Sequence, residues 1–562
     1  METVSNPQIF SNKCHQLREY IFSSLAKRNP SYVLPPAGHV VFLSICSGEE
    51  RSIVVHGCDQ NLEQAWHKAQ LLALDYIKQH NYSVIWLKAD ILIRAEQCTA
   101  DQLPSKMKEH LWNEYFRYGF SVGPAFRTAF LEEEMNGARI WDYKNGCVSL
   151  SYLRTYMRKS GQTPVRELSD QFWIFRATGW FMDENDEIYD LVSQGLAYGR
   201  RRIPVIDKPF VYSLIMNATS YLERQVQPDG SFQYGMYPRF DREIPGYNYM
   251  RHASTIWSLI CQYRITQREN IIPVIKSTIN FLISKSIVYQ DTETAYLADL
   301  DKNEIKIGGN GITILTLTEY MDVFQDDSYR ELAIKLGNGI LKLFDSKSGS
   351  FFHILNMDFS RKEEYRTVYY DGECTYALCR LYSLTKDHKW LDAAVTAVNR
   401  FIALDYTHYR DHWIAYAMNE ITKYIPSEEY YTFALKNAHN NLSFLYKRGT
   451  TYHTFLEMLM VSFETYDRIV ESRIELPFLK EFDLPFFLKT IYTRANRMLN
   501  GYFFPEYAMY MKNPSKVLDT FMVRHDGYRI RIDDVQHNIG GYYLYYKNYE
   551  KLVACGLLEY KD

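Results

Sequence analysis

From Phe210 onward the chain repeats one motif, a pair of amphipathic segments of helical length joined by a connection. Apolar residues recur at intervals of three and four within each segment, which predicts α-helices. Six pairs are present, at about 210–226 and 251 onward, 270–287 and 311–325, 327–344 and 372–385, 387–402 and 411–424, 427–447 and 453–470, and 483–500 and 534–548. Helix pairs of this kind bury their apolar faces by stacking on neighbouring pairs. Six pairs can close into a double-layered ring, and the uneven repeat length disfavours an open superhelix.

The second helices of the pairs would all run in one direction through such a ring, so their amino-terminal ends would meet at one rim. These starts are rich in histidine and acidic residues, whereas the first helices begin with less distinctive residues. The residues concerned are His252, Asp371, Glu373, Asp411, His412, His453, Asp533, Asp534 and His537. Helix capping explains one aspartate per helix start, but it does not explain the histidines or Arg251, because cations are disfavoured there. The rim is therefore the predicted functional site.

The residue types at this rim suggest acid–base chemistry. Glu373, with either Asp411 or Asp533, is predicted to supply the acid and the opposing carboxylate that glycosidic cleavage needs. Epimerisation or elimination needs a base that removes a proton from carbon, for which His252 or His537 is better suited near neutral pH.

Other residues near the rim are predicted to bind the substrate. The predicted substrate-binding residues are Arg251, Tyr249, Tyr370, His412, Trp413, His453 and Asp534. Arginine suits a carboxylate or phosphate on the substrate, and tyrosine and tryptophan rings suit stacking against a sugar.

The first two hundred residues have a different pattern. Residues 39–57 indicate two strands around a polar SGEER turn, residues 62–80 a helix, and residues 83–94 a further strand. A basic, proline-containing stretch at 185–209 marks a junction. The predicted fold is an α+β amino-terminal domain over 1–200, followed by an all-α (α/α)6 toroid domain over 201–562.

Composition limits the partners and the compartment. The net charge of −3 gives no reason to expect a nucleic-acid or membrane partner, and no run of 18 apolar residues predicts a membrane span. Nine scattered cysteines without a CxxC pair, together with the absence of a signal peptide pattern, predict a cytoplasmic protein. The rim histidines have no cysteine neighbours, so we predict no metal site and no cofactor. The alternative is a zinc ion held by three of His252, His412, His453 and His537.

Four segments of the repeat region, RHASTIWSLICQY, YYDGECTYALCRLYSLTKDHKWLDAA, DHWIAYAMNEI and RIDDVQH, resemble the six-hairpin (α/α)6-toroid proteins over about residues 210–562. That group contains glycoside hydrolases, sugar 2-epimerases, polysaccharide lyases and uronyl epimerases. The resemblance implies a carbohydrate-active enzyme, either hydrolase, epimerase or lyase, acting on a small-molecule sugar or an oligosaccharide. The alternative is a non-catalytic toroid that binds a glycan or peptide as a scaffold in a biosynthetic pathway. In the first domain, VFLSIC, HGCDQNLEQAWHKA and AFLEEE resemble the AMMECR-type domain.

Overall fold

A computed structural model describes residues 5–28, 30–108, 115–160, 162–168 and 171–561. Contacts divide the chain into two compact units. The first unit contains Met1–Ile203, Met236–Arg242 and Asn500–Ile530. The second, called the helical unit below, contains Pro204–Gly235, Glu243–Leu499 and Arg531–Asp562. The sequence predicts a single domain boundary near residue 200. In the structure, residues 236–242 and 500–530 also belong to the first unit.

The first unit is built on an antiparallel sheet. Its elements up to residue 190 are α1 (Asn6–Arg28), β1 (His39–Cys46), β2 (Ile53–Asp59), α2 (Leu62–His80), β3 (Trp86–Thr99), α3 (Leu103–Lys108), β4 (Gly119–Ser121), β5 (Ala129–Phe130), α4 (Glu132–Gly137), β6 (Trp141–Asp142), β7 (Cys147–Val148), α5 (Leu150–Lys159), β8 (Gln171–Met182) and β9 (Ile188–Asp190). The strand order is β2–β1–β3–β8–β4–β5, with β9 paired to β8. The predicted strand–strand–helix–strand succession is confirmed by β1, β2, α2 and β3. The AMMECR-type resemblance stays a prediction.

Helices α1 and α2 cover part of this sheet with a shared apolar core. Phe10 and Ile21 of α1 pack with Trp66 of α2 and with Leu43 and Ile91 of the sheet, and all five are buried. Asn61 fixes the start of α2, because its side chain accepts hydrogen bonds from the backbone N–H groups of the first turn.

The first unit is completed by the late segment 500–530. Glu506 pairs with Arg201 at 2.7 Å, and the Tyr510 hydroxyl lies 2.8 Å from that of Ser44. All four belong to the first unit and come from parts of the chain that are about 300 residues apart or more. Both pairs are largely buried, so the late segment satisfies polar groups that the early segment cannot satisfy alone.

The remaining chain consists mainly of helices. The elements from residue 208 onward are α6 (Lys208–Arg224), β10 (Gly235–Tyr237), β11 (Arg242–Glu243), α7 (Tyr249–Thr266), α8 (Ile272–Ser286), β12 (Ile287–Asp291), β13 (Thr294–Asp299), β14 (Glu304–Lys306), α9 (Ile307–Phe324), α10 (Arg330–Lys342), β15 (Phe344–Asp345), β16 (Ser350–Phe351), β17 (Ile354–Asn356), β18 (Arg361–Glu363), α11 (Val368–Thr385), α12 (His388–Ala403), α13 (His412–Ile421), α14 (Glu428–His439), α15 (Leu442–Lys447), α16 (Thr454–Glu471), α17 (Leu484–Met498), α18 (Pro505–Ala508), α19 (Pro514–Val517), β19 (Ile530–Arg531), α20 (Ile532–Lys547) and α21 (Tyr549–Ala554). The predicted helix pairs all overlap helices of this list.

Six inner helices form a closed ring. Helix α7 packs on α9, α9 on α11, α11 on α13, α13 on α16, α16 on α20, and α20 packs back on α7. The outer helices pack outside this ring. Helix α8 packs on α7, α10 on α9, α12 on α11 and α14 on α16, while α6 packs on α20 and α17 on α16. Each inner helix is the second member of a predicted pair, so the helical unit has the double-layered ring arrangement.

Burial distinguishes the two layers. Every residue from Ile307 to Met321 in the inner helix α9 is buried, as expected for a helix with packed neighbours on all sides. The outer helix α12 buries one face, with Trp390, Ala394, Ala397 and Phe401 at intervals of three and four. The apolar pattern read from the sequence therefore reports an outer helix more clearly than an inner one.

The connections contain strands that the sequence analysis did not predict. Strands β12, β13, β14, β17 and β18 form one antiparallel sheet in that order. They come from the connections before α9 and before α11. Among the described residues, no helix has the length and apolar character needed to cross a membrane.

Candidate functional site

The amino-terminal turns of the inner helices contact one another around the ring. Arg251 of α7 lies 3.0 Å from the carboxylate of Asp533 on α20. His537 of α20 hydrogen-bonds Glu457 of α16 at 2.8 Å, and Glu457 lies 3.9 Å from His412 of α13. These contacts join α7, α20, α16 and α13 at one end of the ring, which we call the rim.

Glycines in the neighbouring inner helices make room for three rim carboxylates. A Cβ atom at Gly308 of α9 would lie 2.1 Å from Oε2 of Glu373, which is carried by α11. A Cβ atom at Gly372 of α11 would lie 2.8 Å from Oδ2 of Asp411, the residue before α13.

The same relation holds between α20 and α16, where a Cβ atom at Gly540 would lie 2.3 Å from Oε1 of Glu457. Each of these three carboxyl groups therefore occupies space that only a glycine on the neighbouring helix leaves free.

Glu373 and Asp411 are buried, and each has an oxygen with no hydrogen-bond partner among the described residues. These atoms are Oε2 of Glu373 and Oδ2 of Asp411, in side chains that are 3% and 0% exposed. Buried polar atoms are nearly always bonded in native proteins, to the protein, to water or to a ligand. Two such atoms therefore lie on adjacent inner helices at the rim.

Burial sets the protonation of this pair. It raises the pKa of Asp411 from the ordinary 3.8 to about 7, against the opposing effect of the backbone N–H groups at the start of α13. Burial and then the charge of Asp411 raise the pKa of Glu373 well above its ordinary value. Both carboxyl groups therefore have a raised pKa, and that of Asp411, at about 7, lies near neutral pH.

Three histidines with Glu457 form a second cluster at the rim. The His537 ring lies 5.1 Å from those of both His412 and His453 between centroids, and Nδ1 of His537 is bonded to Glu457. Burial opposes protonation of His537, but Glu457 together with Asp533 raises its pKa above the ordinary value.

The other two imidazoles of this cluster stay neutral. Burial lowers the pKa of His412 to about 3, and it also lowers that of His453, with a further contribution from His537. The rim therefore places one imidazole that readily holds a proton beside two that do not.

Ligand atoms of His412, Glu457 and His537 lie within 4.8 Å of one another. Ligand atoms that share a metal ion lie at shorter and more regular distances from it. The 2.8 Å hydrogen bond between His537 and Glu457 explains, without an ion, why these two side chains lie close together. The sequence-based expectation of no metal and no cofactor stays a prediction.

Arginines hold the two aspartates of α20 in place. Arg531 lies 3.1 Å from both Asp533 and Asp534, and Arg251 contacts the same oxygen of Asp533, Oδ2, at 3.0 Å. Burial, with the neighbouring charge of Asp534, raises the pKa of Asp533. Asp533 is thus held through Oδ2, whereas its Oδ1 has no hydrogen-bond partner among the described residues. Asp411 is the better partner for Glu373, because it is the carboxyl group whose charge raises the pKa of Glu373.

Several predicted residues make contacts that fix the protein structure. Both ring nitrogens of His252 are used, since Nδ1 lies 2.6 Å from the Tyr247 hydroxyl and Nε2 lies 2.9 Å from the Thr278 carbonyl oxygen of α8. Tyr249 stacks on Phe281 of α8 with ring centroids 6.3 Å apart. The structure therefore separates His252 and Tyr249 from the other predicted residues.

Aromatic rings lie beneath the rim. Trp413 lies 4.7 Å from the His412 ring and 5.8 Å from Trp257, and Tyr416 stacks on Tyr376 at 5.4 Å. The Tyr416 hydroxyl also lies 3.5 Å from Glu457. These rings provide flat apolar faces next to the acid–base groups.

The Tyr370 ring lies on another side of the rim, where a Cβ atom at Gly308 would come within 2.4 Å of it. Tyr370 is therefore next to Glu373, as a residue of the predicted substrate-binding set should be.

The opposite end of the ring holds a cavity of about 340 Å³ in which the carboxylates are paired with cations. Arg264 lies 2.6 Å from Glu319, Lys423 2.5 Å from Glu420, and Lys547 2.9 Å from Glu464. Neighbouring cations overcome burial and lower the pKa of Glu420 and Glu464. These acids are ionised and bonded, in contrast to Glu373 and Asp411.

The sequence analysis missed Glu457, His353 and Arg531. Glu457 stands one turn after His453 on α16, so its spacing from a candidate histidine was a usable signal. His353 lies in a connection and bonds Asp371 at 3.0 Å, which no local pattern indicates. Arg531 precedes two aspartates that the analysis did select, and its charge predicts their pairing.

No protein-family model and no curated protein matches this chain. Solved structures that are similar to it include a cellobiose 2-epimerase from Bacillus thermoamylovorans, with 12% identity over 52% of this chain and 87% of that one and a TM-score of 0.42. A D-mannose isomerase has 13% identity, covers 62% of this chain and 100% of its own, and has a TM-score of 0.46. A family 76 glycoside hydrolase from Bacteroides thetaiotaomicron has 10% identity, covers 82% and 96%, and has a TM-score of 0.44.

Proposed function

We propose that the helical unit is a carbohydrate-active enzyme that cleaves a glycosidic bond at the rim. The observation that carries this proposal is the pair of buried carboxyl groups, Glu373 and Asp411, each with an unbonded oxygen. A buried carboxyl group with a raised pKa, next to a second carboxyl group whose pKa is about 7, is an arrangement typical of acid–base catalysis.

The two carboxyl groups are suited to different roles. Glu373, whose pKa is raised well above its ordinary value by burial and then by Asp411, would donate its proton to the leaving oxygen of the glycosidic bond. Asp411 is ionised above about pH 7 and would act on the other side of the sugar as base or nucleophile. Trp413 and Tyr370 would hold the sugar ring, because flat apolar faces suit the C–H surface of a saccharide.

The His537–Glu457 pair favours a second reaction, epimerisation or isomerisation at carbon. Glu457 bonds Nδ1 of His537, which leaves Nε2 as the nitrogen that can exchange a proton with a substrate. His412 beside it is a neutral imidazole that could assist at the opposite face. This reaction uses the same rim but a different proton donor and acceptor.

The test compares Glu373→Gln with Glu420→Gln. Both are buried glutamates of inner helices, but Glu420 lies at the opposite end of the ring. We expect Glu373→Gln to lower the turnover of a hydrolysed oligosaccharide by about 10²–10⁴-fold, because it removes the general acid. Glu420→Gln should lose thermal stability and keep its turnover.

The products distinguish the two reactions. Incubation of the protein with a panel of oligosaccharides and free sugars in D2O should yield new reducing ends without deuterium at carbon, as observed by NMR. Deuterium at carbon with no cleavage, abolished by His537→Gln and not by Glu373→Gln, would show epimerisation instead. Equal loss of turnover in Glu420→Gln would place the chemistry at the opposite end of the ring and refute the proposal.

A further inference from the structure

A cavity of about 470 Å³ opens in the first unit, far in sequence from the rim residues. Residues 50–53 before and at the start of β2 form one wall, and α5 forms another. The segments 236–242 and 500–530 contribute Arg239, Phe240 and Lys512, so every lining residue belongs to the first unit. This volume lies within the range of small-molecule sites.

Positive charge dominates the lining of this cavity. The lining contains four cations and one carboxylate. The cations are Arg51, Lys159, Arg239 and Lys512, and the carboxylate is that of Glu50. The side chains of Lys159 and Lys512 are exposed, and neither forms an ion pair with any residue of the described ranges. Cations grouped around one concave surface, two of them lysines without an ion pair among the described residues, favour an anionic ligand.

Two lining donors are without a hydrogen-bond partner among the described residues. They are the Oγ of Ser52, in a side chain that is 3% exposed, and Nε of Arg51. The Nη2 group of Arg51 donates to the carbonyl oxygens of Gly137 and Arg239, at 3.1 and 2.7 Å, which fixes the guanidinium in the wall. The guanidinium of Arg51 therefore holds a fixed positive charge in the wall of the cavity, which favours a phosphate group.

Aromatic rings complete the lining. Tyr152 and Phe240 lie with ring centroids 6.2 Å apart, and Tyr76 and Tyr156 also line the cavity. The Tyr156 hydroxyl is bonded to Glu134 at 2.6 Å, so this ring is held in a fixed orientation. Flat faces in fixed positions provide a surface on which a planar ring can stack.

We propose that this cavity binds a phosphate ester that carries a planar ring, the chemistry of a nucleoside monophosphate. Arg51, Ser52, Lys159 and Lys512 would hold the phosphate, and Tyr152 with Phe240 would face the ring. A nucleoside monophosphate would use both the cations and the aromatic rings of the lining, whereas inorganic phosphate would use the cations alone.

Calorimetric titration of the full chain tests this proposal. The probes are AMP, GMP, CMP and UMP, with inorganic phosphate and adenosine as half-ligands. We expect at least one nucleotide to bind more tightly than either half-ligand. The double variant Lys159→Gln, Lys512→Gln should bind it about tenfold more weakly or worse, because each lost cation removes a charge-assisted contact.

Lys27→Gln is the matched control. Lys27, like Lys159, is an exposed lysine in the last turn of a helix of the first unit, and it does not line the cavity. Failure of all four nucleotides to bind, equal weakening in Lys27→Gln, or phosphate binding as tightly as the nucleotides would each overturn the proposal. Glu373→Gln should bind the nucleotide like the parent protein, so this result is independent of the activity at the rim.

Discussion

The two carboxylate oxygens of Asp411 have different surroundings. Oδ1 accepts a hydrogen bond from the Trp413 N–H at 3.0 Å and caps helix α13, whereas Oδ2 faces Gly372 and is unbonded. Capping alone would hold the pKa of an aspartate low, because the N–H groups stabilise the charged form. Burial outweighs this effect, so one residue both starts a helix and titrates near neutral pH.

Asp411→Asn separates these two properties, since asparagine caps a helix as well as aspartate does. The folded pKa of about 7 lies above the ordinary 3.8, so the stability contributed by the neutral carboxyl is complete below about pH 4 and is lost as the pH rises towards 7. We expect urea unfolding to show this loss, on the order of 4 kcal/mol, in the parent protein. The variant should lack it.

Activity gives the complementary measurement. The parent protein should gain turnover as the pH rises through about 7, where Asp411 ionises, and Asp411→Asn should be inactive throughout. Asp387→Asn, at the exposed cap of the outer helix α12, is the control and should change neither profile. An Asp411→Asn protein with the same dependence of stability on pH as the parent would contradict the assignment.

At the scale of the elements, the contact between inner helices depends on glycines. Helix α9 passes so close to α11 that a methyl group at Gly308 would overlap both Glu373 and Tyr370. The same arrangement recurs at Gly372 and Gly540. Close helix contact and the placement of the carboxyl group that we propose as the acid are thus one structural feature.

Gly308→Ala should displace Glu373 and lower turnover by about tenfold or more. Overpacking costs about 1–3 kcal/mol of stability, and about 1 kcal/mol returns from the higher helix propensity of alanine, so the protein should remain folded. Turnover and thermal unfolding measure the two effects. Gly123→Ala, where a Cβ atom would meet nothing within 4 Å, is the control.

The combined variant Gly308→Ala, Glu373→Gln gives a sharper test. If Gly308 acts through Glu373, the double variant should be no less active than Glu373→Gln alone. Additive losses would show that Gly308 acts on turnover by another route.

The sequence predicted the helices well and the connections poorly, for physical reasons. Spacing of three and four marks a helix such as α12 because one face meets the core. Strands β14, β17 and β18 have three residues each, which is too short for alternation to be recognised, and their pairing joins separate connections. The contact of His353 with Asp371 was not predicted, because His353 directly precedes β17, one of these short strands.

The candidate site was predicted in position but not in detail. Helix starts could be read from the sequence, so Glu373, Asp411 and His537 were selected together. Which side chains turn inwards depends on packing between helices, and His252 turns towards α8. Glu457 was passed over because a glutamate in the first turn of a helix is ordinary.

At the scale of the whole molecule, the first unit is discontinuous in sequence. Its buried polar groups have partners in segment 500–530: Arg201 with Glu506, and Tyr115 with Arg524 at 2.6 Å. Breaking a buried ion pair costs about 3–5 kcal/mol, which is comparable with the total stability of many domains.

The fragment 1–203 should therefore fail to fold cooperatively, as measured by near-ultraviolet circular dichroism and urea unfolding. Addition of a peptide of residues 500–530 should restore a cooperative transition, because it supplies Glu506, Tyr510 and Arg524. The same peptide with Glu506→Gln and Arg524→Gln is the control and should restore less. A cooperatively folded 1–203 fragment would show that the late segment is dispensable.

This discontinuity has a consequence for the time course of synthesis. About 300 residues must be translated between Ile203 and Asn500, which takes roughly 15–60 s at ribosomal rates. Throughout that interval the early sheet would be on the ribosome with Arg201 and Tyr115 unpartnered, while most of the ring helices emerge and pack. The unit that is encoded first would thus be finished late, and its nascent form is the stage at which a chaperone would be needed.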